Sequence, residues 1–425
     1  MPEPAKPAPK VVLLAGVYSF LVLLGYMAIF YSPAGTIAQT VLADTLHLKP
    51  QQISLFSILT DIPAYVGFLF GFLRDRVRSK HFGDRAYLLL FGLAAAACYG
   101  WMALGFNSLE AFFLANLAQT VAAAGLGAAA RGLVATIARW NGMAGRVGGM
   151  TVVAGGVIRW LGPTLAGNLQ KTSGNAAGFW LSAAFCAPIV LLAFWRPRQL
   201  FDVEGLEVKS IPENLGQSIR RLLRHRPLFL PSLAEFLWAF APGWGTPLFF
   251  FLTKDRHLGM DAYGSALGLI GIGVTVGSLA YMAVCNFVSV RILSVWGTVG
   301  GVLGAALFYL IRDKDPVSAN VFCFLAGVSC GIPLGSYNDL IIRSCPKELE
   351  GAAVMVFTSG SLFAADFSDL VGSFLYERGG FLLALAGTAL TTGLIIPVLF
   401  LIPRSVTDPK EGVQLTDPDP VPVPT

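Results

Sequence analysis

Apolar residues along this chain neither alternate nor keep to one helical face. They run almost unbroken for about 17–25 residues at a time, the length that crosses ~30 Å of hydrocarbon in a helix. Twelve such runs are predicted, at 11–31, 53–73, 86–106, 109–136, 147–169, 176–195, 228–252, 263–288, 292–311, 317–341, 351–375 and 380–402. A helix that is apolar all round is surrounded by lipid or protein, so each run predicts a transmembrane helix. The first run lacks a small-residue cleavage site and meets a polar, proline-broken segment, Tyr31-Ser32-Pro33-Ala34-Gly35. It is therefore read as the first span, ending there, and not as a removable signal segment.

The longest polar stretch between runs, 196–226, is rich in charge and proline and separates six spans from six. The predicted organisation is a disordered tail (1–10), a six-helix bundle (11–195), a linker (196–226), a second six-helix bundle (227–403) and a disordered tail (404–425). The linker's basic end, Ile219 to Arg226, reads either as solvated chain or as an amphipathic helix on anionic lipid. Six spans plus six suggest bundles related by a pseudo-symmetry axis along the membrane normal, with a solute held at mid-depth between them. Gly125, Gly127, Gly268, Gly271, Gly273 and Gly277 fit close helix contact better than a phosphate loop.

Composition agrees: 55% hydrophobic residues, 13% charged and a mean hydropathy of +0.66. The net charge of +5 is topological. Most Lys and Arg fall in loops on the side of the termini, which predicts cytoplasmic termini in a plasma (inner) membrane and leaves no basic surface for nucleic acid. Of the six cysteines, Cys345 lies in a loop and the others in spans, so no disulfide framework or metal cluster is expected. All four histidines fall in loops or at helix ends, so any proton carrier should be a carboxylate. No nucleophile-base pair, metal set or Walker sequence points to an enzyme or to ATP, and no cofactor is expected. A monomer is expected, with lipid, a small solute and protons as partners.

Six charges sit inside the apolar runs: Arg131, Arg159, Asp61, Glu235, Asp366 and Asp369. Each costs ~2.5–3.5 kcal/mol near a bilayer centre, so each is a functional candidate. Arg159 and Asp61 lie near mid-span, Asp366 and Asp369 outward of centre, and Arg131 and Glu235 nearer the cytoplasm, where Arg131 could instead snorkel. Arg159 reads as a clamp for carboxylate or phosphate through its guanidinium fork, or as a structural ion pair. Tyr26, Tyr31, Tyr65, Trp160, Trp238, Trp244, Tyr337 and Asn338 complete a candidate pocket whose rings would stack on a cyclic solute.

The segment Gly71-Phe-Leu-Arg-Asp75-Arg76, followed by a basic loop to Arg85, resembles the helix-two/helix-three signature of the major facilitator superfamily, and Gly162-Pro163-x-x-Ala166-Gly167 partly resembles its helix-five motif. The resemblance implies a gate in which Asp75 reaches the start of helix eleven near Gly351 and Arg85 orients it, with Gly71 and Arg76 part of the signature. Over most of the chain, Pro63, Gly71, Asp75, Gly83-Asp-Arg85-x-Tyr87, Pro247-Leu-Phe-Phe-Phe-Leu-Thr253 before Leu258-Gly259, Val290-Arg291-Ile-Leu and Cys345-Pro-Lys-Glu-Leu-Glu350 look like the folate-biopterin transporters within that superfamily. Where that family tends to carry Lys-Pro in helix two, this chain has Gly67-Phe68.

In the superfamily arrangement helices two and eleven meet between the halves, as do five and eight, so Asp61 would face Asp366. Two carboxylates together in low dielectric do not both ionise easily, and a proton would be held and released as the halves rock. Asp61, Asp366, Asp369 and Glu235 are the candidate coupling groups. The expected function is secondary active transport of a small organic solute, pterin- or folate-like or another organic anion, by proton-coupled alternating access. A drug or sugar carrier on the same scaffold, or a non-transporting receptor, is the alternative.

Overall fold

The computed structural model describes residues 9–67, 69–71, 74, 84–105, 108–140, 144–201, 226–285, 287–344 and 350–407, and these contain helices and no strand. Among the described residues nine helices are long and apolar enough to cross a membrane, two of them 45 residues long. At 1.5 Å per residue these two would run more than twice the bilayer thickness. Each is a hairpin. Ala144–Phe185 turns back at Gly174 (φ 76°) and Glu350–Gly393 at Gly380 (φ 68°), left-handed torsions that glycine adopts without steric cost. A further span is broken in two, so the order is twelve spans.

The first span is longer than its apolar run implied. Pro9–Phe30 gives way at Tyr31-Ser32 to a second helix, Pro33–Thr40, and a π-helical turn, Val41–Thr45. Pro33 stands at the first turn, where its missing N–H costs nothing. The expected end at Tyr31 is thus a bend inside the span. The second span begins at Pro50–Tyr65, the third is Arg85–Ala103 and the fourth Leu109–Trp140. The fifth and sixth lie on either side of Gly174, the sixth finishing with Ala187–Phe194.

The second half repeats the plan. The seventh span is Arg226–Ala239, a bend, Thr246–Phe250 and a π-helical turn, Phe251–Asp255. The eighth is Met260–Val284, the ninth Val290–Ala306 with the 3₁₀ turn Leu307–Leu310, and the tenth Pro316–Ser344. The eleventh and twelfth flank Gly380, the twelfth ending in Ile395–Leu401. The likeness of the first and seventh spans extends to single bonds. Leu46 N–H donates to Val41 and Leu48 N–H to Leu42; Arg256 N–H donates to Phe251 and Leu258 N–H to Leu252. His47 (φ 53°) and His257 (φ 51°) both take the left-handed conformation.

Buried apolar residues separate along the same line. One core draws its buried members from Ala15 to Leu200, two others from Ala234 to Ile402. The main packing between the halves is the fifth span against the eighth and the second against the eleventh. The fifth and eighth lie almost backbone to backbone. A Cβ on Gly271 would stand 2.6 Å from the Arg159 Cβ, so helix contact without side chains, the membrane packing mode, brings Arg159 to the seam. Cys98, Cys186, Cys323 and Cys330 are free thiols.

Candidate functional site

The seam between the halves holds charge in three layers. Nearest the termini-bearing end, Arg131 of the fourth span donates to the Tyr26 hydroxyl at 3.0 Å and, across the seam, to Thr358 Oγ1 of the eleventh at 3.5 Å. It does not snorkel. Arg159 of the fifth span donates to the Tyr31 hydroxyl and lies 4.5 Å from the centre of that ring. The Arg131 guanidinium carbon is 5.3 Å from the Tyr26 ring centre. Two arginines are thus held by two tyrosines of the first span, and among the described residues neither forms an ion pair. Cation–π contact of ~0.5–2 kcal/mol steadies each cation without neutralising it, so both remain able to take an anion.

The middle layer lies between the second and eleventh spans. Tyr65 donates to Asp366 Oδ2 at 2.7 Å and packs edge-on against Phe363. Asp61, one helical turn away on the same face, accepts from Thr120 of the fourth span at 3.2 Å. Asp61 and Tyr65 thus lie on the second span, with Tyr65 bonded to Asp366 of the eleventh. Each carboxylate has one side-chain donor and retains acceptor capacity.

Asp369, one turn further, is in a different position. It accepts from Ser54 Oγ at 2.6 Å, Thr246 N–H at 2.6 Å and Thr246 Oγ1 at 2.7 Å. The second, seventh and eleventh spans therefore meet on one carboxylate, which also faces the N-terminal end of the helix beginning at Thr246. Charge-assisted bonds of this kind are about twice as strong as neutral ones. Around it, at the end of the molecule opposite the termini, Lys254 meets Asp44 at 2.7 Å, Lys171 meets Asp261 at 2.7 Å, Tyr263 donates to Gln39 at 3.1 Å and Gln51 N–H to Glu377 at 3.4 Å. All four join one half to the other and close that end of the seam.

Asp44 and Lys254 occupy corresponding places in the two π-helical turns, so the ion pair lies at the pseudo-symmetry axis. Sequence reasoning missed this layer. A signal was present, since Leu42, His47 and Leu48 recur as Leu252, His257 and Leu258 at a constant offset. Beside it, His257 lies 2.9 Å from Asp313 and holds that carboxyl below the usual carboxylate range by hydrogen bonding.

Other candidate residues lie elsewhere. Tyr337 is fully buried inside the second half, bonded to Thr298 and packed against Trp238 at 5.6 Å. Both are core groups of that bundle, placed there because an aromatic hydroxyl pairs readily with a buried threonine. Trp244 packs on Phe308. Asn338 is exposed and donates to Leu334 O at 2.8 Å, and Trp160 is exposed beside the eighth span. Glu235 is 9% exposed inside the second half, and its Oε2 has no partner.

At the termini-bearing end Gly71 faces open space, while Asp75 and Arg76 lie outside the described residues. Arg85 was expected to orient Asp75. Its described bond runs to Ala193 O of the sixth span at 3.2 Å. The neighbouring Arg74 grips Asp84 with two bonds of 3.1 and 3.0 Å, a pair that the sequence motif did not suggest.

Two six-span bundles with a solute-sized set of charges on the seam define a multi-pass membrane transporter. The profile of the Major Facilitator Superfamily matches residues 19–368, and the chain belongs to that superfamily. A folate-biopterin transporter of Synechocystis sp. is 24% identical over 411 residues, covering 88% of this chain and 79% of the relative. Among solved structures, the inward-open xylose transporter XylE of E. coli superposes with a TM-score of 0.66 at 12% identity, over 95% of this chain and 98% of that one. The nucleoside transporter NupG superposes with a TM-score of 0.65 at 14% identity, over 92% and 98%. A D-xylose-proton symporter gives 0.64 at 12%, over 91% and 97%.

Proposed function

We propose that this protein is a proton-coupled secondary transporter of a small organic anion, working by alternating access in a membrane that leaves both termini in the cytoplasm. The observation that carries the reading is that one seam holds two cations with no ionic partner among the described residues, Arg131 and Arg159, and two carboxylates, Asp61 and Asp366, on the spans that meet there. Arg159 and Arg131 take the solute's negative groups, with Tyr26 and Tyr31 as their platforms. Asp61 and Asp366 share a proton through the Tyr65 region when the halves are together and release it when they part, because separation restores water to both. Asp369 acts as the clamp of the outer gate. The likeness to a folate-biopterin transporter and the flat tyrosine rings favour a heteroaromatic anion.

The test is a thermal-shift panel of pterins, folates, nucleosides, sugars and neutral amino acids on purified protein, followed by counterflow of each hit in proteoliposomes. A ligand at 100 times its dissociation constant adds ~2.7 kcal/mol of stability. An anionic heterocycle that both stabilises and exchanges supports the reading. A response confined to neutral sugars would favour a sugar carrier, and binding with no exchange would favour a receptor.

A further inference from the structure

We propose that a groove on the lipid side of the first bundle binds an anionic phospholipid of the leaflet at the termini-bearing face, a site separate from the transport seam. The groove lies between the first, fifth and sixth spans, has a volume of about 530 Å³, and is walled by Leu21, Leu24, Ile158, Leu161, Pro188 and Leu191. Among the described residues no charged one lines it. Leu191 is 67% exposed on the outer wall, so in the membrane the groove opens to hydrocarbon and takes an acyl chain. A free phosphate or a soluble anion has nothing to bind along such walls.

The end of the groove selects the headgroup. Trp195 closes it, its ring tilted against Tyr18 at 5.4 Å, and indole rings favour the membrane interface. The chain then carries Arg196 and Arg198, both exposed. Arg198 opens a one-turn helix, Arg198–Phe201, that packs on the start of the first span through buried Leu200. Arg85 of the third span is buried behind this end of the groove and bonds Ala193 O. Two exposed arginines therefore stand where an apolar slot meets the surface, and their charge suits a phosphodiester whose chain fills the slot. Each basic residue near an anionic surface contributes ~1 kcal/mol, about five-fold in affinity.

The experiment is native mass spectrometry of the full-length protein titrated with phosphatidylglycerol or phosphatidylcholine of identical chains. Wild type should retain phosphatidylglycerol in preference to phosphatidylcholine. The double variant Arg196→Gln/Arg198→Gln should lose about five-fold per arginine in phosphatidylglycerol affinity with phosphatidylcholine unchanged, and Leu191→Trp, which narrows the slot from an exposed position, should weaken both lipids. Equal retention of the two lipids by wild type, or wild-type phosphatidylglycerol affinity in the double variant, would overturn the proposal. The arginine variants change exposed side chains, and an unaltered unfolding midpoint in detergent shows that they fold.

Discussion

At the residue scale, the six intramembrane charges stood out in the sequence because each is costly in its surroundings, but their partners did not. Tyr26 and Tyr31 are five residues apart on the first span, and nothing local says that each holds an arginine more than a hundred positions away. The consequence is measurable. Arg159→Lys keeps the charge but loses the planar fork, and should weaken anion binding about ten-fold in a titration, with Arg159→Ala weaker still. Unchanged affinity in a folded variant would make Arg159 structural. Asp369, expected as one of several coupling groups, has its oxygens occupied by Ser54 and Thr246. Asp369→Asn replaces one accepting oxygen with an NH2 that faces donors and should cost about 1–3 kcal/mol of stability, read as a lower unfolding midpoint. A stable Asp369→Asn protein that no longer accumulates solute would return Asp369 to the coupling set.

At the scale of elements, apolar run length located the spans and failed at their ends. Pro33 looked like a terminator and is a helix start; the seventh span bends between Ala239 and Thr246 around Gly245 (φ 70°). Both first and seventh spans then end in a π-helical turn and a left-handed histidine, and these twin turns present Asp44 and Lys254 to each other. An exposed pair of this kind contributes about 0.2–1 kcal/mol, enough to bias two states of similar energy. Asp44→Lys should therefore open the far end of the seam up to about five-fold more often, read as faster thiol labelling of a Gln51→Cys reporter. Adding Lys254→Asp should restore the slow rate. Identical labelling in all three proteins would remove the pair from the gate.

At the scale of the whole molecule, the division into two halves was legible because every span needs its own apolar stretch and the one long polar stretch falls in the middle. How the halves meet was not, since the seam is built from residues whose separation in sequence exceeds any local pattern: Ser54 with Asp369, Tyr65 with Asp366, Lys171 with Asp261. The superfamily resemblance supplied the pairing of helices two with eleven and five with eight, and the close approach at Gly271 shows what permits the latter. Alternating access requires that the far-end layer part while the layer at Arg131 and Thr358 closes further.

The most direct test of this account is uptake of a labelled anionic solute into proteoliposomes under an imposed pH difference, measured beside exchange of labelled for unlabelled solute at equal pH. The account predicts that Asp366→Asn and Asp61→Asn each abolish accumulation against a gradient while exchange continues, because exchange needs both gates but no net proton movement. If both variants still concentrate the solute as wild type does, the shared carboxylate proton is not what drives transport, and the central claim fails.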